Sequence, residues 1–380
     1  MPKSRPALQK PLALEDLLKK PPIPGTGLPI GRPHHSFYVS SLSNVPPRIT
    51  ASEIPLSSQG DKHVFKIDVE SIEGHLLVGA PPMQQKLLRR NDLAKFRGNH
   101  STAPYRPEPV PMTHVPTVKK RKRTATRPRL LLKDKPARPL EIFLPDLRQH
   151  LVDLSYPWRT TGRTVSPMGD GTVKIGSGTL VGPRHMLTAS HVIGWNNPGG
   201  PSVSFTPMYD NGAQPFGQAS GIWGYWYREE NAPEDQLDVS EDYVVVVLDQ
   251  RLGDTLGWMG TRTYSTDWDD SPYRFNIGYP NDLGGGQIPY WQNQVSFEDA
   301  DNPGILGQEG DGLYMDTESA SLSQGNSGGP FFAFWDTDGW HIVSVASAEG
   351  TLDWTFDDDN WAAGGSPMVQ LVLQAQADFP

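Results

Sequence analysis

The 380-residue chain contains no cysteine. That absence excludes a disulfide framework, a thiolate metal site and a cysteine nucleophile. It leaves the compartment open, because a chain long enough to bury a large core needs no disulfides. Long apolar runs are missing too: no stretch approaches the ~18 consecutive apolar residues of a membrane helix. The opening residues, MPKSRPALQKPLALEDLLKKPP, lack an apolar core of signal-peptide length, so nothing as written is expected to send the chain across a membrane. Tryptophan is absent from residues 1–140; all 11 lie beyond them.

That last absence coincides with a change of charge. Residues 1–140 hold 25 Lys+Arg against 10 Asp+Glu, a net of +15, whereas residues 141–380 hold 9 against 33, a net of −24. Of the 37 prolines, 21 fall before residue 141. A shift of this size marks a boundary near residue 140. The first part, 1–140, reads as a basic, proline-rich and poorly ordered region with small structured pieces. These are a short helix over 14–20, a strand over 62–69 (KHVFKIDV) and an amphipathic helix over 83–96 carrying Leu87, Leu88, Leu93 and Phe96. The run Lys119-Lys120-Arg121-Lys122-Arg123 fits a solvated linker, a nuclear-localisation or nucleic-acid patch, or a processing cleavage site. No aromatics are interleaved with it, so specific nucleic-acid recognition is not expected.

The second part, 141–380, reads as all-β. Short apolar runs recur at 173–175, 178–181, 202–205, 243–248, 274–277, 290–297, 330–334 and 341–345, separated by turn signals such as Asn196-Asn197-Pro198-Gly199-Gly200 and Gly284-Gly285-Gly286. Many short strands so punctuated predict barrels or a sandwich, and 367–377 predicts one closing helix. The acidic runs Asp357–Asp359 and Asp267–Asp270 lack a calcium-loop pattern and read as solvated turns, so no metal site is expected.

The motif with most chemical content is Gln324-Gly325-Asn326-Ser327-Gly328-Gly329-Pro330. A serine hydroxyl is a poor nucleophile until a base takes its proton, and it must sit on a sharp loop whose N–H groups converge. An ordinary Gly/Ser hairpin is the rival reading; the run into Phe331-Phe332-Ala333-Phe334 counts against it. Four histidines follow residue 140. His150 lies among charged residues, His185 follows Pro183-Arg184 in a turn, and His341 sits mid-strand as a structural histidine. His191, in Leu187-Thr188-Ala189-Ser190-His191-Val192, has small neighbours and a place at a strand-to-helix turn that leave its ring free to act as base. The orienting carboxylate should be buried. Asp242 enters the run Tyr243–Leu248; its competitors Asp235, Asp238 and Glu241 lie in polar, solvated sequence.

The order His191, Asp242, Ser327, with the contexts T-A-S-H, D-Y-V-V-V-V-L and G-N-S-G-G-P, resembles the trypsin/chymotrypsin-like serine proteases. The cysteine-free form, Tyr156-Pro157-Trp158, the stretch from Gly176 to His191 and the stretch Leu144–Asp153 resemble most the V8-like glutamyl-endopeptidase branch. The resemblance covers 141–380. It implies two antiparallel six-stranded β-barrels with the active site in the cleft between them, and an acyl-enzyme mechanism without cofactor. It also implies an oxyanion hole from the Gly325 and Ser327 N–H groups, and a substrate pocket framed by Ser321, Leu322, Ser323, Ser344, Ala346 and Ser347. Ser344 would support Asp242 and lend its carbonyl to the substrate backbone. Leu322 and Ser344 stand where the Glu-cleaving branch shows Thr or Ser and His, which argues against Glu preference, though the hydroxyls suit Glu, Gln or small side chains.

The resemblance implies a secreted enzyme acting on polypeptides and commonly made as an inactive precursor; a monomer is expected. The opposite charges of the two parts, and the basic proline-rich boundary with Lys119–Arg123, Arg127, Arg129, Lys135 and Arg138, lead to the expectation that 1–140 is a pro-region that assists folding, inhibits the enzyme and is removed; the alternative is a disordered tail without effect. The rival is a catalytically silent homologue that serves as a binding module with a basic anchor. Silent homologues usually lose a triad member, and none is lost here.

Overall fold

The computed structural model of the chain describes residues 9–26, 48–54, 64–70, 80–116, 142, 146–168, 170, 172–228, 239–298, 300–301, 312–350 and 359–380. The N-terminal part supplies a one-turn helix α1 (Leu14–Leu17) and strands β1 (Arg48–Ile54), β2 (Val64–Glu70) and β3 (Gln84–Leu88). After β4 (Gln149–His150) come β5 (Thr161–Pro167), β6 (Val173–Gly182), β7 (His185–Thr188), β8 (Ser204–Pro207), β9 (Ala219–Tyr227) and β10 (Val244–Leu248). These last six pair antiparallel in the cyclic order β6-β5-β8-β9-β10-β7-β6 and close a six-stranded barrel.

A linking helix α2 (Gly253–Leu256) leads to β11 (Gly260–Thr261), β12 (Arg274–Gly278), helix α3 (Asn281–Gly284), β13 (Tyr290–Val295) and β14 (Ala300–Asp301). Then follow β15 (Gly312–Thr317), β16 (Pro330–Trp335), β17 (Gly339–Gly350), β18 (Asp359–Gly365) and the C-terminal helix α4 (Ser366–Asp378). The second sheet runs β14-β15-β18-β17-β16-β12-β13-β4. Among the described residues no pairing joins its two ends, so it is a curled sheet where the first is closed. The architecture is consistent with the double barrel expected from the sequence.

The valine run shows why the first barrel forms. Side chains alternate along a strand. Val244 and Val246 face a cluster with Leu180, Met186, Val203 and Phe205 of the barrel strands and their connections, while Val245 and Val247 face a cluster that includes Leu371, Val372 and Ala375 of α4. Both faces are covered, so an unbroken apolar run is needed rather than alternation.

The N-terminal part does not pack separately. Leu17, Leu88, Leu93, Val110 and Met112 are buried in the same cluster as Trp158, Trp340 and Leu371. The charge boundary near residue 140 is therefore not a packing boundary. The helix expected over 83–96 is instead strand β3 followed by a 3-10 turn, Ala94–Phe96. The reason is tertiary: β8 pairs only with the first residues of β9, and the open edge Trp223–Tyr227 is filled by β3 in parallel, from Gln84 opposite Trp223 to Leu88 opposite Tyr227. The run Lys119–Arg123 lies outside the described residues.

His185, expected in a turn, opens β7 fully buried, and its Nε2–H donates to the Ala375 carbonyl of α4 at 3.1 Å. Burial pushes the ring down to about 4, against the opposing pull of the Ala375 bond. His341 is likewise buried in β17 and pushed down to about 4, first by burial and then by Arg262. Unfolded histidine binds a proton near pH 6.5. Between pH 6.5 and 4 the unfolded chain binds more protons at these sites than the folded one, so stability is full above pH 6.5 and falls as pH drops to 4. Each site contributes up to about 3 kcal/mol of that loss. Urea unfolding at pH 7 and pH 5 is expected to show a smaller acid loss in His185→Asn than in the parent. Equal losses would mean that His185 is not held neutral.

Candidate active site

The loop between β15 and β16 carries Ser327, and its shape is set by glycine. Gly325 and Gly328 have φ of +91° and +80°, the left-handed region that side chains avoid. A Cβ at Gly328 would lie 2.1 Å from Thr188 Oγ1 and 2.7 Å from the Ala189 nitrogen, so the loop can lie against the segment leading to His191 only without one. One at Gly325 would lie 2.2 Å from the Tyr279 carbonyl.

Ser177 on β6 ties this loop of the second sheet to the first barrel. Its N–H donates to the Ser327 carbonyl at 2.8 Å, and its hydroxyl donates to the Gly325 carbonyl at 2.7 Å and accepts from the Tyr279 N–H at 3.0 Å. Strand β17 adds a second tie: the Gly328 N–H donates to the Ala346 carbonyl and the Ala346 N–H to the Gly329 carbonyl, at 2.7 and 2.8 Å.

His191 follows β7 in a 3-10 turn, Ser190–Val192, as its small neighbours predict. Asp242 sits two residues before β10, which pairs with β7 from Val244 opposite Thr188, so register brings it beside the turn that carries His191. The carboxylate grips the histidine twice: the ring Nδ1–H donates to Oδ2 at 2.6 Å and the backbone N–H to Oδ1 at 2.9 Å. Asp242 is 1% exposed. Burial works to raise its carboxyl, but His191 and the donated hydrogen bonds outweigh burial and hold it below the ordinary carboxylate range. With Nδ1–H committed to Asp242, Nε2 of the partly exposed ring keeps the lone pair that a base needs. Lys174 Nζ fixes the turn by donating to the His191 carbonyl at 2.5 Å.

The hydroxyl that supports Asp242 is Ser347, donating to Oδ2 at 2.5 Å. Ser344 was expected there and is not: its Oγ is buried and has no hydrogen-bond partner among the described residues. Its carbonyl is also not at an open edge, because Ser344 lies opposite Phe331 on one side and Gly364 on the other. Residues three apart on a strand point to opposite faces, so only one of the two serines can meet Asp242. The register of β17 breaks between Ala346 and Glu349, and this irregularity leaves Ser347 outside the paired ladder.

Glu241, expected to be solvated, is 1% exposed and paired with buried Arg228 at 3.4 Å. Asp235 and Asp238 lie outside the described residues. His150 is distant in role: its Nε2 meets Asp210 at 3.0 Å. Asp269, in the acidic run 267–270, accepts the Tyr264 hydroxyl at 2.7 Å.

Of the residues expected to frame a substrate pocket, Leu322 and Ala346 are buried in the core of the second sheet with Phe331, Val343 and Ala362. Ser321 is buried, with its N–H and carbonyl bonded to the Gln292 amide at 3.0 and 2.9 Å. The Ser323 hydroxyl donates to Asp282. Among the described residues the N–H groups of Gly325 and Ser327 and the Ser327 hydroxyl have no hydrogen-bond partner within the chain. An unpartnered pair of N–H groups beside a hydroxyl can receive an oxyanion. Among the described residues no hydrogen bond joins Ser327 to His191; such a bond often tightens only once substrate binds. Ser177, Arg148 and Asp282 were not anticipated; the flanking Gly176-Ser177-Gly178 was the one sequence hint of a close approach at Ser177.

No protein-family model matches the chain, and no curated protein matches it in sequence. Its fold is similar to that of a Glu endopeptidase solved in complex with MPD, at 19% identity over 62% of this chain and 100% of that one, with a TM-score of 0.48. It is also similar to the protease Anisep from Arthrobacter nicotinovorans, at 19% identity over 61% of this chain and 99% of that one, with a TM-score of 0.44. A third similar structure is a thermostable serine protease, AL20, from an extremophilic microorganism, at 17% identity over 59% and 99% of the two chains and a TM-score of 0.41.

Proposed function

We propose that the chain is a serine endopeptidase that hydrolyses peptide bonds through Ser327, His191 and Asp242. The observation that carries this reading is the buried Asp242–His191 pair, with its Nδ1–Oδ2 distance of 2.6 Å, behind a glycine loop that presents Ser327 beside two unpartnered N–H groups. Ser327 Oγ attacks the scissile carbonyl while His191 Nε2 takes its proton. The Gly325 and Ser327 N–H groups receive the oxyanion. Asp242 stays ionised and stabilises the imidazolium, which then protonates the leaving amine. Water, deprotonated by the same Nε2, releases the acyl group. The unpaired stretch at Ser347, rather than Ser344, supplies backbone for an added substrate strand.

The N-terminal region, in this reading, acts as a folding element. Its buried leucines argue for retention: after a cut at Lys119–Arg123 the piece ending there would remain bound as a second chain.

A serine-directed phosphonate probe tests the assignment. The expected result is one adduct, on the peptide containing Ser327, lost in Asp242→Asn. Absence of labelling in the intact folded chain would favour the silent binding module.

A further inference from the structure

We infer that Arg148 is a positioning residue for the oxyanion loop, acting through Asp282; this rests on the peptidase reading above. The Arg148 side chain is 1% exposed and holds two carboxylates at once. Nε and Nη2 donate to Asp146 at 3.0 and 2.9 Å, and Nη1 and Nη2 donate to the two oxygens of Asp282 at 3.0 and 2.6 Å. Only a planar guanidinium can serve both in this forked way. Arg148 is delivered to this place by β4, whose next residue, Gln149, pairs with Trp291.

Asp282 reaches the nucleophile loop. It accepts the Ser323 hydroxyl, and its neighbour Asn281 donates its N–H to the Gln324 carbonyl at 2.7 Å. Ser323 is further clamped by the Asn326 side chain, which accepts the Ser323 N–H at 3.1 Å. The Gln324 carbonyl and the Gly325 N–H belong to one planar trans peptide and point in opposite directions. Holding that carbonyl on Asn281 therefore aims the Gly325 N–H away from α3. Gly325 has no side chain to resist rotation of this peptide, so the aim depends on hydrogen bonds: Ser177 holds the Gly325 carbonyl on one side, and Asn281 and Asp282 anchor the residues before it on the other. Arg148 fixes Asp282, and through the chain connection it fixes Asn281. Arg148 touches neither substrate nor Ser327; its effect on the reaction passes through the loop.

The test uses the full chain with Asp282→Asn, which keeps the side chain's shape, and Ser323→Ala, which leaves the Arg148 ion pairs intact. Arg148→Lys serves as the third variant. Kinetics on a peptide substrate are read beside thermal unfolding and amide hydrogen exchange of residues 323–328. The expected result is a kcat about 10- to 100-fold lower, because displacing an oxyanion donor costs somewhat less than the ~10²–10³ of removing one. KM should stay within about threefold and the pH midpoint of kcat should not move, since His191 and Asp242 are untouched. Amide exchange of the loop should quicken in all three variants; the melting temperature should hold in Ser323→Ala, which leaves the ion pairs intact, and fall in Arg148→Lys, which disturbs a buried pair.

A kcat equal to the parent's, or unchanged loop exchange, overturns the inference. If the parent itself is inert to peptides and to the serine probe, the peptidase reading fails instead. Loop exchange then decides alone whether Arg148 and Asp282 order the loop.

Discussion

Replacing Ser327 with alanine is expected to lower peptidase turnover by on the order of 10⁶ while the chain stays folded. The size follows from chemistry. In the proposed mechanism the hydroxyl is the atom that forms the covalent intermediate, and a chain without cysteine has no thiol to stand in for it. The folding half follows from the contacts. Among the described residues the Ser327 side chain makes no hydrogen bond, so its loss leaves no buried partner unsatisfied. The loop is held instead by main-chain bonds from Ser177 and Ala346 that alanine retains. His191→Ala should be equally damaging, and the double variant little worse than either, because base and nucleophile act as one unit. Initial rates on an unfolded protein, with circular dichroism as control, measure this. Residual turnover within about tenfold of the parent would sink the assignment. Loss of activity in a folded His150 variant would transfer the role of base.

The local settings of those three residues, and the meeting of Asp242 with His191, were legible in the sequence because each stands in a recognisable pattern: a glycine loop, a small-residue turn, a carboxylate at the mouth of an apolar run. The strands made of β-branched and aromatic runs were legible for the same reason. What was not legible depends on partners far away in the chain. The sequence Ala219–Tyr227 interleaves glycine with aromatics and shows no clean alternation, yet it is the strand β9 on which β3 docks. Arg148 and Asp282 are 134 residues apart, and nothing local at either tells of the other. Ser344 and Ser347 share a strand and a chemistry. Which of them faces Asp242 is set by the break in register after Ala346, a property of pairing with β18. The helix misread over 83–96 has the same origin, since an open sheet edge overrode a weak local preference.

Deleting residues 1–140 is expected to abolish folding of the remainder, and with it activity. The N-terminal part contributes Leu17, Met83, Leu88, Leu93, Val110 and Met112 to the core, each at most 7% exposed. At ~1.5–3 kcal/mol per buried side chain this is on the order of 10 kcal/mol. A domain's whole stability is about 5–15 kcal/mol. Main-chain ties add to it: β3 along β9, Leu12 N–H to the Phe334 carbonyl, and Tyr156 N–H to the Pro111 carbonyl. The opposite charges of the two parts suggest at first an electrostatic dock that salt would loosen. The described ion pairs across it, Lys20 with Asp336 and Lys86 with Asp378, are partly exposed and worth at most about 1 kcal/mol each. Apolar burial therefore outweighs charge, and association should change little between low and high salt. The measurement is to produce 141–380 alone and together with 1–140, and to compare cooperative melting, labelling at Ser327 and retention of the two pieces at both salt levels. The isolated 141–380 should lack a cooperative transition, and the supplied N-terminal piece should restore both the transition and labelling. A truncated chain that melts near the parent temperature and is labelled as well would show that the N-terminal part is dispensable. Dissociation of the pieces at high salt alone would return the dominant role to charge.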